Sequence, residues 1–121
     1  VENLEPNAPM HDSASLAWCQ QLEARCSEIK AELLPQLQPE AHEVWLPGIY
    51  TKASAEKDEE WRLAGVLLNG DWQTSKWPIT IEILRGLEAF TPYEVFFARL
   101  PAQTSIAAHS DNLNYILTAC L

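Results

Sequence analysis

Glycine and positive charge are both scarce in this sequence. Its 121 residues include 4 Gly, too few for the glycine-rich loops that cradle nucleotide phosphates. The 8 Lys and Arg face 17 Asp and Glu, a formal charge of −9, and the basic residues are scattered. Nucleic-acid affinity rests on clustered cations that neutralise phosphates, so nucleic acid is a poor partner for this chain. Three cysteines, Cys19, Cys26 and Cys120, are too few and too unevenly spaced for a disulfide framework, and no C-x-x-C pair suggests zinc. A reducing compartment is therefore the default. Long hydrophobic runs are missing as well: those around residues 64–68 and 95–98 fall far short of the roughly 18–20 residues a bilayer helix needs. What remains is a composition of 47% hydrophobic and 21% charged residues, that of one soluble globular domain or part of one.

Residues 1–12, with Pro6 and Pro9, read as an extended arm. Asp12, Ser13 and Ser15 offer N-cap oxygens, and Leu16, Cys19, Leu22, Cys26, Ile29, Leu33 and Leu37 then recur at spacings of three and four. This predicts an amphipathic helix that Pro35 ends or kinks, since proline lacks an amide donor and restricts the residue before it. Pro39, Pro47 and Gly48 continue an irregular connection, and the polar stretch 51–60 reads as a surface loop closing a helical extension over 13–60. The second half, 61–121, is mostly sheet. Trp61–Leu68 is a strand candidate stopped by Asn69-Gly70-Asp71, a strong turn signal. Ile79, Ile81 and Ile83 alternate as in a strand, yet Pro78 suits a first helical turn and Ile79, Ile83, Leu84 and Leu87 fit a helical face, so periodicity leaves this segment open. Strands are expected at 93–100, 106–108 and 115–121, with turns at 101–105 and 109–112. The last strand stops without a turn or polar tail, from which more protein is expected to follow. The chain opens on Val1 with no signal segment, so a leader, if there is one, lies outside it.

One spacing carries a catalytic reading. In an extended segment residues i and i+2 point the same way, so His109 and Asp111 can converge on one cation. Two histidines and one carboxylate on one face of non-haem iron would need a further histidine, and His11 and His42 lie upstream in the arm and the connection. The competing reading is a polar turn in which Ser110 and Asp111 bond local amides.

The stretch Leu100-Pro-Ala-Gln-Thr-Ser-Ile-Ala-Ala-His109-Ser-Asp-Asn-Leu-Asn114-Tyr-Ile-Leu-Thr-Ala-Cys-Leu121 resembles the core motif of the aspartyl/asparaginyl β-hydroxylase family, approximately L-x-P-G-T-x-I-x-x-H, a short turn, then N and a strand with L-x-x-H-L. Trp61–Leu68 and Trp77-Pro78-Ile-Thr80 resemble the strand and the C-P-x-T helix before it. The resemblance implies a double-stranded β-helix that uses Fe(II) and 2-oxoglutarate to hydroxylate Asp or Asn side chains, and it favours helix over Pro78–Leu87. The expected fold is α+β: an N-terminal amphipathic helix plus a partial, cupin-like β-helix sheet. His109 matches the family's first iron histidine, and Asp111 stands where relatives have Gly or Asp. Thr118 and Cys120 fall where the best-known members place an Arg and a His that hold 2-oxoglutarate, so a carboxylate-binding cation is missing.

Five tryptophans, Trp18, Trp45, Trp61, Trp72 and Trp77, serve either as core, each indole N–H finding an acceptor, or as a docking surface, for which Trp18, Trp45 and Trp72 are the candidates. Two functions follow. The first is a β-hydroxylase-like domain with an incomplete site, acting on a peptide, with Fe(II) and 2-oxoglutarate if active. The second is a non-catalytic subunit docked on a protein assembly, one version being a peripheral subunit of an organellar membrane complex such as a photosystem, in a plastid after loss of a transit peptide. Cys19, Cys26 and Cys120 read as core contacts.

Overall fold

The computed structural model of the chain describes residues 10–47, 61–100, 102 and 117–121. Asp12 caps the first turn, its carboxylate accepting from the Ala14 amide at 3.0 Å, and a short 3-10 turn over Ser13–Ser15 leads into helix. The expected amphipathic helix is two: α1 (Ala17–Ala24) and α2 (Cys26–Leu33), parted at Arg25, whose backbone leaves helical geometry at φ −106° and ψ 7°. The apolar stripe survives the break, with Cys19 and Ile29 buried and Leu22, Leu33 and Leu37 packed against the core. Pro35 acts as expected: α2 stops at Leu33, and the chain tightens into 3-10 turns over Leu34–Leu37 and Pro39–Val44.

Strand β2 (Arg62–Leu68) is the centre of the sheet. Its Leu-Ala-Gly-Val-Leu-Leu run has Leu63, Ala64, Val66 and Leu67 all buried, the pattern of a strand covered on both faces. Two short strands that sequence periodicity did not reveal, β1 (Leu46–Pro47) and β3 (Asp71–Trp72), pair antiparallel with its two ends. The expected strand near 93–100 is β4 (Val95–Arg99), also antiparallel to β2, running from Arg62↔Arg99 to Leu67↔Val95 with a bulge between Gly65 and Leu67. Leu63 pairs with both β1 and β4, and Leu67 with both β3 and β4. A strand has two edges, so β1 and β3 share one edge of β2 and β4 holds the other. Asn69 at φ 51° and Gly70 at φ 83° make the two-residue turn into β3, both in the left-handed region that matches the twist of a hairpin.

The ambiguous isoleucine segment is helix α3 (Pro78–Arg85), with Pro78 at its first position. Thr80, Ile81, Ile83 and Leu84 are buried and Ile79, Glu82 and Arg85 exposed. Tertiary packing decides for helix, because only a 3.6-residue period puts Ile81 and Leu84 together against Ala64 and Val66 of the sheet. The architecture is thus α+β, helices on an antiparallel sheet that forms part of a β-sheet domain. The expected strand at 115–121 differs: Leu117–Leu121 lies outside regular structure and is exposed, no described strand being paired with it. The arm at 1–9, the loop at 51–60, the strand at 106–108 and the turn at 109–112 lie outside the described residues. No helix among the described residues is long and apolar enough to cross a membrane.

Candidate functional site

Trp77 joins the helical layer to the sheet. Fully buried, it donates its indole N–H to the Gly65 carbonyl at 2.9 Å and tilts its ring against Phe97 with centroids 4.7 Å apart. Phe97 sits opposite Ala64 in the β2–β4 register, so Trp77 touches both strands beside the bulge. The three-residue step Trp77-Pro78-Ile79 thereby fixes α3 over β4, the strand that leads toward His109 ten positions further on. A Cβ at Gly65 would fall on the Leu68 side chain, which would have to shift to admit it.

The amide donors at the start of α3 have an unusual acceptor. Trp77, the N-cap, offers no side-chain oxygen, and Pro78 has no N–H to satisfy. The Ile79 and Thr80 amides instead donate to the two carboxylate oxygens of Glu32 on α2, each at 2.8 Å. At the other end of α3 the Glu88 amide donates to Gln21 Oε1 at 3.0 Å, and Trp18 packs on Phe90 with centroids 4.9 Å apart. Sequence patterning did not single out Glu32 or Gln21. The available signal was a helix start with proline at the first position and no capping side chain, whose free amides require an acceptor from elsewhere.

His109 and Asp111, the metal-ligand candidates, lie outside the described residues. His11 and His42 are exposed on the helical side, and among the described residues no three His, Cys, Asp or Glu side chains come together in a way that could hold a metal ion. Thr118 and Cys120 are exposed, and neither carries a charge to pair with a carboxylate. Cys120 therefore departs from its expected core role, which Cys19 fills and the half-buried Cys26 partly fills. Of the docking candidates, Trp45 is corrected to core: it is buried in the cluster with Trp77, Ile81 and Leu84, and its indole N–H donates to the Gln36 carbonyl at 2.6 Å. An indole whose face and N–H are both engaged internally presents nothing to a partner. Trp18 and Trp72 are half-buried, Trp18 against Phe90 and Trp72 against the core. The ionic pair Arg25–Glu28 is exposed on the helical side; the guanidinium hydrogen bond holds the Glu28 carboxyl below the usual glutamate range and raises Arg25 above its own.

A family model, aspartyl/asparaginyl beta-hydroxylase, matches residues 23–121. The chain belongs to this β-hydroxylase family. The match opens inside α1 and covers α2, the 3-10 turns, the sheet and α3. Comparison with curated proteins and with solved structures finds no match. Family members generally depend on Fe(II) and 2-oxoglutarate. Among the described residues, positions 118 and 120 hold a hydroxyl and a thiol.

Proposed function

We propose that the chain carries a β-hydroxylase-like domain without a complete active site. The observation that supports this reading is the pair Thr118 and Cys120, both uncharged and exposed, at positions where the resemblance calls for an Arg and a His on 2-oxoglutarate. A dicarboxylate in a partly desolvated pocket needs a fixed cation or several donors to offset lost hydration, and a hydroxyl and a thiol supply neither. His109 and Asp111 keep the donor chemistry for one side of an iron centre, so weak divalent-metal binding through them is the residual activity of this reading.

Calorimetric titration of 2-oxoglutarate into the full chain loaded with Mn(II), a stand-in for Fe(II) that does not oxidise, tests it. The expected result is no saturable binding below the millimolar range, with binding gained in the double variant Thr118→Arg, Cys120→His. Micromolar binding to the unaltered chain, with succinate formed once Fe(II) and oxygen are present, would overturn it. Loss of Mn(II) affinity in His109→Ala, followed by electron paramagnetic resonance, separates the metal question from the cosubstrate question.

A further inference from the structure

We infer that α1 and α2 act as a strap closed over α3, fastened by Glu32 at one end and by Gln21 and Trp18 at the other, and that the two fastenings are energetically coupled through α3. The observations stand apart from the reading of the active site. Glu32 binds the first free amides of α3, while Gln21 binds the Glu88 amide just past the end of α3. The strap therefore runs antiparallel to α3 and spans its whole length.

The start of α3 has no sufficient local alternative; its last turn is closed by the Gly86 amide on the Glu82 and Ile83 carbonyls, and what Gln21 holds is the turn after it. At the start, the Ile81 amide donates to the Trp77 carbonyl at 2.9 Å; the Thr80 hydroxyl is buried without a partner, and the N-cap residue supplies no side-chain cap. If Glu32 let go, two amides and that hydroxyl would compete for water, and the first turn of α3 would fray. At the far end, Ala89 holds a left-handed φ of 54°, a conformation that a residue with a Cβ keeps only where its surroundings hold it. The neighbours that hold it are the Gln21 bond to Glu88 and the Trp18 contact with Phe90.

What the strap controls is Trp77. Its carbonyl accepts from Ile81 inside α3 while its indole N–H reaches the Gly65 carbonyl at the β2–β4 bulge. Fraying at the start of α3 loosens that indole and its bond to the Gly65 carbonyl at the bulge, while the β2–β4 pairing itself stays in place. A closed strap thus seats Trp77 on the sheet from the helical side, through a carboxylate 47 residues before the Ile79 amide in the chain.

Coupling is reciprocal by thermodynamic necessity, and this gives a test that simple helix capping does not pass. Amide hydrogen exchange is followed residue by residue by nuclear magnetic resonance on the full chain and two variants, Glu32→Gln and Gln21→Ala. In Glu32→Gln the Ile79 and Thr80 amides are expected to exchange at least tenfold faster and the distant Glu88 amide at least threefold faster. In Gln21→Ala, the milder change, Ile79 and Thr80 are expected to speed up at least threefold although nothing near them has changed. The Trp77 indole proton is expected to accelerate in both, and the Ala64 and Val66 amides in neither. Acceleration confined to the end that was altered would overturn the strap in favour of two independent caps. A uniform acceleration that includes Ala64 and Val66 would overturn it in favour of one indivisible core.

Discussion

Replacing Trp77 by Phe tests whether one side chain ties helix to sheet. Phenylalanine keeps a ring in place against Phe97 but loses the indole N–H that bonds Gly65 and the second ring that fills the core. The lost hydrogen bond is worth about 1 kcal/mol net. The missing ring leaves a gap of about 40 Å³, which at about 24 cal/mol per Å³ adds roughly 1 kcal/mol. The variant is therefore expected to lose about 2 kcal/mol of a total that lies at roughly 5–15 kcal/mol for a domain. At roughly 4 °C per kcal/mol for a chain of this size, its thermal midpoint falls by about 8 °C. Urea unfolding followed by far-ultraviolet circular dichroism reads the loss directly. Trp77→Leu removes the aromatic pair as well, worth about another 1 kcal/mol, and belongs further along the same scale. A loss below about 0.5 kcal/mol in Trp77→Phe, or equal losses in the two variants, would refute the role argued for the indole N–H and the ring contact.

Two further outcomes follow from local geometry. Gly70→Ala places a Cβ at φ 83° in the β2–β3 turn and is expected to cost about 1–2 kcal/mol with an unchanged urea slope, whereas the same change at Gly86, which has an ordinary helical φ of −87°, is expected to be tolerated. The Glu28 carboxyl titrates below an ordinary glutamate because the Arg25 guanidinium bonds its charged form; its folded-state value lies below the unfolded one, so its small contribution is present above the usual glutamate range and lost as pH falls from there through the lower folded-state value. A carboxyl-detected titration of Glu28 should return to the ordinary range in Arg25→Ala, with little change in overall stability because the pair is exposed to solvent.

The fold was partly written in local pattern. Hydrophobic spacing from Leu16 to Leu37, the stop at Pro35, the run Leu63–Leu68 and the Asn69-Gly70 turn each follow from chain-level preferences, and each is present in the structure. Strands β1 and β3 escaped because two residues carry no period; they exist only where β2 offers them an edge. Of the site, the sequence supplied His109, Asp111 and the departures at Thr118 and Cys120, through motif chemistry and resemblance. It left Trp45 open between core and docking surface because a tryptophan's type does not say which way it faces.

By itself, then, the sequence determined the class of the domain and the family motif around His109, since these rest on residue identity and short-range spacing. Periodicity left Pro78–Arg85 open, the family resemblance favoured helix and the structure has it; only the tertiary structure decided that Trp45 and Trp77 are core and that Glu32 closes a helix 47 residues away. Those outcomes depend on which surfaces meet, because a free amide, an indole N–H or an isoleucine that fits two periods is settled by the partner that satisfies it.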